Sequence, residues 1–248
     1  MNKPFLIIQL RPEDSTSDNE FAKIKLYGGL ADHEVQRLRI ESSGLPGLDL
    51  DSYCAIIVGG SPFDISTPET EKTAIQRQIE SAFNLLFDVI VERDFPFLGC
   101  CSGNGLLGNY CGVSISRKYG EPVGGVDVSL TEQGRLDPLL QGFPDRFRVM
   151  LGHKEACDEV PGAAELLLTG EACPVQMFRL RNNIYATQFH PEGDAEGFIV
   201  RIEAYKHHGY FPAHTANELA DRIRGEDTPE ARQILKRFVD RYRERKHL

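Results

Sequence analysis

One stretch of the chain decides the fold: residues 95–105, with the sequence FPFLGCCSGNG. An apolar run ends within it, and a predicted helix follows directly. A strand that turns sharply into a helix strains the corner residue, so the positions two before and two after it must be small. With Cys101 at the corner these positions are Gly99 and Gly103, whereas with Cys100 one of them would be a leucine. The pattern predicts a nucleophile elbow with Cys101 as the nucleophile, at a helix N-terminus whose dipole favours a thiolate. A tight glycine turn with inert core cysteines stays open as the alternative.

Composition restricts the class of protein. The chain has 248 residues, 41% hydrophobic and 26% charged, with a formal net charge of −9. This acidic balance argues against a nucleic-acid surface, and the longest apolar runs are far shorter than a membrane span. The start of the chain lacks a signal-peptide core, and the six cysteines fit neither a zinc pattern nor a secreted disulfide framework. We therefore expect a cytoplasmic protein with no metal, no cofactor, and no nucleic-acid or membrane partner.

The apolar pattern predicts alternating strands and helices. Continuous apolar runs such as residues 5–10 and 53–58 are typical of strands buried on both faces of a parallel sheet. The predicted strands are 5–10, 35–40, 53–58, 95–100, 113–116, 126–130, 147–151, 175–180 and 184–189. The predicted helices are 18–28, 67–93, 106–110, 195–208, 215–224 and 229–243, and residues 136–141 suggest a helical turn. This order predicts an α/β fold, a mostly parallel sheet with helices on both faces.

The chain is predicted to form one domain, residues 1–210, with a C-terminal helical extension, residues 211–248, packed on it. Basic side chains on the last helix are expected to face solvent. Ligands of such folds bind at the carboxyl ends of the strands. The glycine loop at 59–60, the elbow and the turn at residue 190 all follow strands, so we expect them to meet at one edge of the sheet.

The triplet His190-Pro191-Glu192 is the second informative motif. Pro191 favours an extended backbone at the residue before it, and residues two apart on an extended chain point to the same side. Glu192 can therefore hold the His190 ring and leave its other nitrogen for Cys101, which is the arrangement of a base and its orienter around a nucleophile.

Acyl transfer also needs N–H donors for the oxyanion. We expect the N–H of Ser102 to be one donor and the N–H of Gly60 to be the other. A simple strand-terminating turn at Gly59-Gly60 is the alternative.

Together these motifs resemble class I glutamine amidotransferase domains over about residues 5–205. The segments that carry the resemblance are GGSP at 59–62, the Gly-x-Cys-x-Gly elbow and QFHPE at 188–192. The resemblance implies a flavodoxin-like three-layer sandwich and a Cys101–His190–Glu192 triad. It also implies attack on a γ-glutamyl carbonyl through a γ-glutamyl thioester. His153, Lys154 and Glu155 stand where the family has a loop that holds the α-amino and α-carboxylate groups of the substrate.

One position departs from the family pattern: Gly105 stands where members usually carry a glutamine that helps to hold the substrate. Gly105 is expected to leave room for a different acyl substrate. No synthase domain is fused to this chain, and its overall pattern is closer to stand-alone members, which include γ-glutamyl peptidases. Three hypotheses remain: a stand-alone hydrolase of γ-glutamyl compounds, a glutaminase subunit that passes ammonia to a separate synthase, and a binding module that has lost catalysis.

Overall fold

The computed structural model describes residues 3–45 and 47–243, and its centre is a nine-stranded sheet in the order β2-β1-β3-β4-β11-β10-β9-β6-β7. The strands are β1 Phe5–Gln9, β2 Val35–Arg39, β3 Ala55–Val58, β4 Phe97–Cys100, β5 Ile115–Ser116, β6 Glu121–Leu130, β7 Arg146–His153, β8 Ala156–Cys157, β9 Ala164–Gly170, β10 Met177–Leu180 and β11 Ile184–Thr187. Strands β2, β1, β3, β4 and β11 run parallel, and the other four large-sheet strands continue it in antiparallel pairs. The remaining two, β5 and β8, pair separately.

Helices cover both faces of this sheet, as the alternation of strands and helices predicts. They are α1 Asp14–Gly28, α2 Ile40–Ser43, α3 Ala74–Arg93, α4 Ser102–Tyr110, α5 Glu132–Leu136, α6 Ala195–Tyr205, α7 Ala216–Ile223 and α8 Pro229–Arg243. Strand β1 shows why both faces need cover: Phe5 and Ile7 belong to the core cluster under α1 and α8, and Leu6 and Ile8 to the cluster under α3 and α4. The predicted fold class is confirmed.

The apolar side of α8 is buried against the domain. Its side chains Ala231, Ile234, Leu235, Phe238, Val239 and Tyr242 join the core cluster that also contains Ile24 of α1. The basic residues of this helix lie toward its partly or fully exposed side, and Lys236 pairs with Asp240. Arg245 and Lys246, which the sequence groups with them, lie outside the described residues.

The structure corrects the predicted starts of three helices. Helix α4 begins at Ser102, directly after the elbow, and not at residue 106. Helix α1 begins at Asp14, not near residue 18, because its polar first turns are buried and hydrogen-bonded; Thr16 Oγ1, for example, donates to Glu13 O at 3.0 Å. Helix α3 begins at Ala74, not at residue 67, because Thr73 caps it by accepting the Gln76 N–H.

The sheet is also more extensive than the sequence predicts. Strand β9 was not predicted, and β6 begins at Glu121 instead of residue 126. The predicted hairpin around residues 181–183 is confirmed, since β10 and β11 pair with Leu180 opposite Ile184.

None of the helices in the described residues is both long enough and apolar enough to cross a membrane.

Candidate functional site

The elbow forms where β4 ends and α4 begins. Cys101 occupies the corner with φ 54° and ψ −94°, a strained backbone for a residue with a side chain, and its N–H donates to Thr187 O of β11 at 2.8 Å. A Cβ on Gly99 would stand 2.7 Å from the carbonyl carbon of Gly103, so a side chain at 99 would collide with the first turn of α4. Cys100 is a buried strand-end residue, as predicted.

His190 follows β11 and is fixed from three sides. Its backbone N–H donates to Met150 O at 3.0 Å, and its ring packs nearly perpendicular to the Phe198 ring at a centroid distance of 5.4 Å. Its Nδ1 lies 2.7 Å from Glu192 Oε1, and Glu192 is fully buried. The pairing that His-Pro-Glu predicts is thus present, and it leaves Nε2 as the free nitrogen of the ring.

A network of buried charged side chains, which the sequence analysis does not predict, lies behind the His190–Glu192 pair. Arg201 of α6 donates from Nη2 to Glu192 Oε1 at 2.8 Å, and the same nitrogen lies 4.0 Å from Glu20 Oε2. Glu20 of α1 also accepts from Arg11 Nε at 2.7 Å, and Arg11 Nη1 donates to Tyr205 Oη at 3.2 Å. The sequence carries no motif for these residues. Their burial in the structure is what marks them, because fully buried Arg and Glu side chains are rare unless they are paired.

Two cavities open on either side of Cys101, and Ser61, Cys101 and Tyr210 line both. The first, here called the arginine cavity, encloses about 400 Å³ and is also lined by Arg11, Val123, His190, Phe198, Arg201 and Ile202, among others. The second, the lysine cavity, encloses about 340 Å³ and is also lined by Asp64, Ser102, Gly105, His153, Lys154 and Glu155, among others. Cys101 and His190 therefore face a common cavity, although no hydrogen bond joins the thiol to the ring in the described part of the chain.

The two expected oxyanion donors differ in their surroundings. The N–H of Ser102 opens helix α4, where the first N–H groups have no partner within the helix. The N–H of Gly60 instead donates to the buried Glu20 Oε2 at 3.1 Å, so it has a protein partner here, and its role as the second oxyanion donor stays a prediction. A Cβ on Gly60 would stand 2.4 Å from Arg11 Nη2 and 2.8 Å from His190 Cε1. Glycine is needed here because these side chains approach closely.

The four residues expected to bind substrate all line the lysine cavity. The three that have polar side chains already pair with other protein groups. His153 contacts Glu121 Oε2 through Nε2 at 2.9 Å, Lys154 Nζ lies 2.8 Å from Asp64 Oδ2, and Glu155 accepts the Ile65 N–H at 2.6 Å. Gly105 lines this cavity, and a Cβ there would meet the far end of the Ile65 side chain, Cδ1, at 2.8 Å. The expectation that Gly105 leaves room for a different acyl substrate stays a prediction.

Burial sets the protonation of the three candidate catalytic groups. It raises the pKa of the Cys101 thiol to about 12, with the Arg11 guanidinium opposing the rise. Burial lowers the pKa of His190 below its ordinary value, although the Glu192 carboxylate opposes this. Burial would raise the pKa of Glu192, but His190 and Arg201 outweigh it and hold that pKa well below its usual range. The resting site therefore pairs a neutral thiol and a neutral imidazole with an ionised carboxylate.

Two groups of side chains among the described residues could in principle bind a metal ion, and in both the histidine already hydrogen-bonds to a carboxylate. Glu121, His153 and Cys173 bring their donor atoms within 4.8 Å of one another, as do Glu20, His190 and Glu192. In each group the histidine already bonds directly to a carboxylate, at 2.9 Å and 2.7 Å respectively.

Comparison with known proteins gives one matching family and a set of distant relatives. The model of the family described as Glutamine amidotransferase class-I matches residues 23–198, which include the elbow and the His-Pro-Glu turn. A glutamine-hydrolyzing GMP synthase from Aeropyrum pernix is 24% identical over 67% of this chain, which spans about a third (31%) of that protein's length. One subunit of a glutamine-hydrolyzing GMP synthase from Methanoculleus marisnigri is 27% identical over 66% of this chain and 78% of its own.

Solved structures agree on the fold. A glutamine amidotransferase from Thermotoga maritima has a TM-score of 0.71 at 23% identity, covering 97% of this chain and 99% of its own. A glutamine amido transferase from Methylobacillus flagellatus has a TM-score of 0.73 at 17% identity, covering 100% and 98% respectively. At these identities the likeness concerns the architecture.

Proposed function

Because the chain belongs to the class I glutamine amidotransferase family, we propose that it hydrolyses the γ-glutamyl amide bond of glutamine or of a γ-glutamyl compound through a thioester on Cys101. One observation carries the proposal: a strained elbow cysteine and a carboxylate-held histidine face the same cavity. The nucleophile then comes from one turn at the carboxyl edge of the sheet, and the base and its orienter come together from another.

The reaction begins when His190 Nε2 takes the thiol proton and Cys101 Sγ attacks the γ-carbonyl carbon. The C–S bond forms, and the π electrons move onto the oxygen, which the Ser102 N–H is positioned to stabilise. On collapse the C–N bond breaks, and the leaving nitrogen takes the proton from His190. Water, deprotonated by the same imidazole, then cleaves the thioester, releasing glutamate and restoring the thiol.

The thiol and imidazole are held as a neutral pair until substrate arrives, since the thiol pKa is about 12 and that of His190 is lowered. Proton transfer therefore has to accompany attack. Contacts of this kind are often long without substrate and tighten when it binds, which is compatible with the missing thiol–imidazole hydrogen bond. For Gly60 to serve as the second donor, its peptide would have to exchange Glu20 for the substrate oxygen.

The test compares two adjacent cysteines. Glutamine and a panel of γ-glutamyl amides are incubated with the protein, glutamate release is measured, and a glutamine-analogue electrophile is used to label the thiol for intact mass. We expect one adduct and measurable turnover, both lost in Cys101→Ala and both kept in Cys100→Ala. An adduct on Cys100, or no turnover of any γ-glutamyl compound, would contradict the proposal.

A second function is favoured by one relative, since the Methanoculleus protein is named as a single subunit of a glutamine-hydrolyzing GMP synthase, which implies a further subunit. In that case this chain would release ammonia for a separate synthase. The isolated protein would then turn over glutamine slowly, and a synthase added to it would raise the rate. Efficient hydrolysis of γ-glutamyl amides by the protein alone would argue against this role.

A further inference from the structure

The arginine cavity is lined by Arg201, whose guanidinium N–H groups the protein uses only in part. Arg201 is only 6% exposed, and its Nε and Nη1 are buried without a hydrogen-bond partner in the described residues, while Nη2 bonds Glu192. Its face lies over the Phe198 ring at 5.0 Å. Burying a charged donor without a partner costs free energy, more than for a neutral group. These two N–H groups have almost no solvent-accessible surface, so Arg201 offers an anionic ligand in this cavity its positive charge and not a direct hydrogen bond.

Arg11 has a guanidinium N–H group without a protein partner in the described part of the chain, on the side of the cavity where His190 lies. Its Nε bonds Glu20 and its Nη1 bonds Tyr205, but Nη2 makes no hydrogen bond within the described residues. Nη2 and His190 Cε1 approach the same point over Gly60, at 2.4 Å and 2.8 Å from where a Cβ would stand. A leaving amine that is protonated by His190 and lies in this cavity would therefore be close to Arg11 Nη2.

The position of His190 decides which part of a substrate occupies this cavity. A general acid must be within hydrogen-bond reach of the nitrogen that it protonates. His190 lines the arginine cavity, whereas Ser102, Lys154 and Glu155 line the lysine cavity on the other side of Cys101. The glutamyl part of the substrate then belongs in the lysine cavity, and the leaving amine in the arginine cavity.

We propose that the arginine cavity is a subsite for the leaving amine and that it selects amines carrying a carboxylate. The inference rests on the proposed function and specifies its substrate class. Arg11 Nη2 would donate to the carboxylate, the guanidinium charge of Arg201 would lie beside it, and Val123 and Ile202 would contact the apolar body of the leaving group. Ammonia, the leaving group of glutamine, has nothing that would use these contacts.

The expected selectivity is moderate, because Glu20 and Glu192 already balance the charges of Arg11 and Arg201. The gain therefore comes mainly from satisfying the free Arg11 donor, not from net attraction. A hydrogen bond to a charged group typically corresponds to about 10- to 100-fold in an equilibrium or rate constant.

A pair of substrates that differ only in this charge provides the test. γ-Glutamylglycine and γ-glutamylglycinamide are compared by kcat/KM on the full chain, and we expect the carboxylate to be preferred about tenfold or more. The ratio of the two values does not depend on the fraction of active protein. Arg11→Gln should lower the ratio by about tenfold, and Arg11→Lys should retain part of it, since lysine keeps the charge but not the fork.

Arg222→Gln, which removes an exposed cation of α7, is the matched control and should leave the ratio unchanged. Comparing variant with parent also cancels the intrinsic difference between the two leaving amines. A ratio that Arg11→Gln does not change would overturn the subsite and leave the hydrolase proposal standing. Failure to turn over either compound or glutamine would overturn both.

Discussion

Replacing Glu192 by glutamine removes the charge from the carboxylate that holds His190 while keeping nearly the same shape. Glu192 is fully buried, lies 2.7 Å from His190 Nδ1 and accepts Arg201 Nη2 at 2.8 Å. The substitution therefore has two separable effects. The imidazole loses the negative charge that stabilises it once it is protonated, because the amide oxygen of glutamine accepts a hydrogen bond but carries no charge. Among the described residues, Arg201 then keeps Glu20, at 4.0 Å, as its anionic neighbour.

The stability cost follows from the second effect. Breaking a buried ion pair by removing one partner typically costs about 3–5 kcal/mol, because a buried charge is left uncompensated. For a chain of this size this corresponds to a fall in Tm of about 6 to 20 °C. The rate cost follows from the first effect, and loss of an orienting carboxylate should reduce kcat by about 10²- to 10⁴-fold.

A double variant separates the two effects. In Glu192→Gln with Arg201→Met, the uncompensated guanidinium is gone, so Tm should recover by at least about half, whereas glutamine hydrolysis should stay low. Thermal unfolding and glutamate release measure the two quantities, and Glu203→Gln on the exposed side of α6 is the control that should alter neither. If Glu192→Gln retains activity close to the parent, or if the double variant regains it, Glu192 does not orient His190 and the triad interpretation is refuted.

Three further predictions concern pH and two glycines. Burial lowers the pKa of His190, so activity should be lost only as pH falls through a value below about 6.5, where the ring protonates; a pH profile of kcat/KM with its acid limb above that value would contradict this. Gly99→Ala should unfold the elbow and lower Tm sharply, because its Cβ would meet backbone at 2.7 Å, whereas Gly162→Ala, where a Cβ meets nothing within 4 Å, should be tolerated. Gly105→Ala should change the free energy of unfolding by less than about 1 kcal/mol, because its Cβ would meet only the far end of the Ile65 side chain among the described residues, and alanine favours a helix over glycine by about 1 kcal/mol. Ile65→Val should remove the remaining cost in a double-mutant cycle by urea unfolding, and additive effects would mean that the two side chains do not touch.

The parts of the molecule that the sequence predicts are those set by local rules. The buried strands, the elbow at Cys101 and the carboxylate beside His190 each follow from the steric or periodic properties of a few adjacent residues. The start of α1 was missed because its serine, threonine and acidic residues are typical of a loop by local preference. Tertiary contacts reverse that preference: Glu20, in the middle of this polar run, is fully buried against side chains of β1 and of the loop after it.

The sequence indicates only part of the role of Gly60. The glycine pair after β3 correctly indicates a close approach, but the sequence does not indicate what approaches. Gly59 leaves room for the Glu20 carboxylate, and Gly60 for Arg11 and His190, each from a different element. A loop that sequence alone assigns to oxyanion binding therefore also connects Glu20, and through it Arg11, to the catalytic edge. Glu20→Ala in α1, far in sequence from any motif, should consequently lower glutamate release, because Arg11 and the Gly60 N–H would both lose their acceptor.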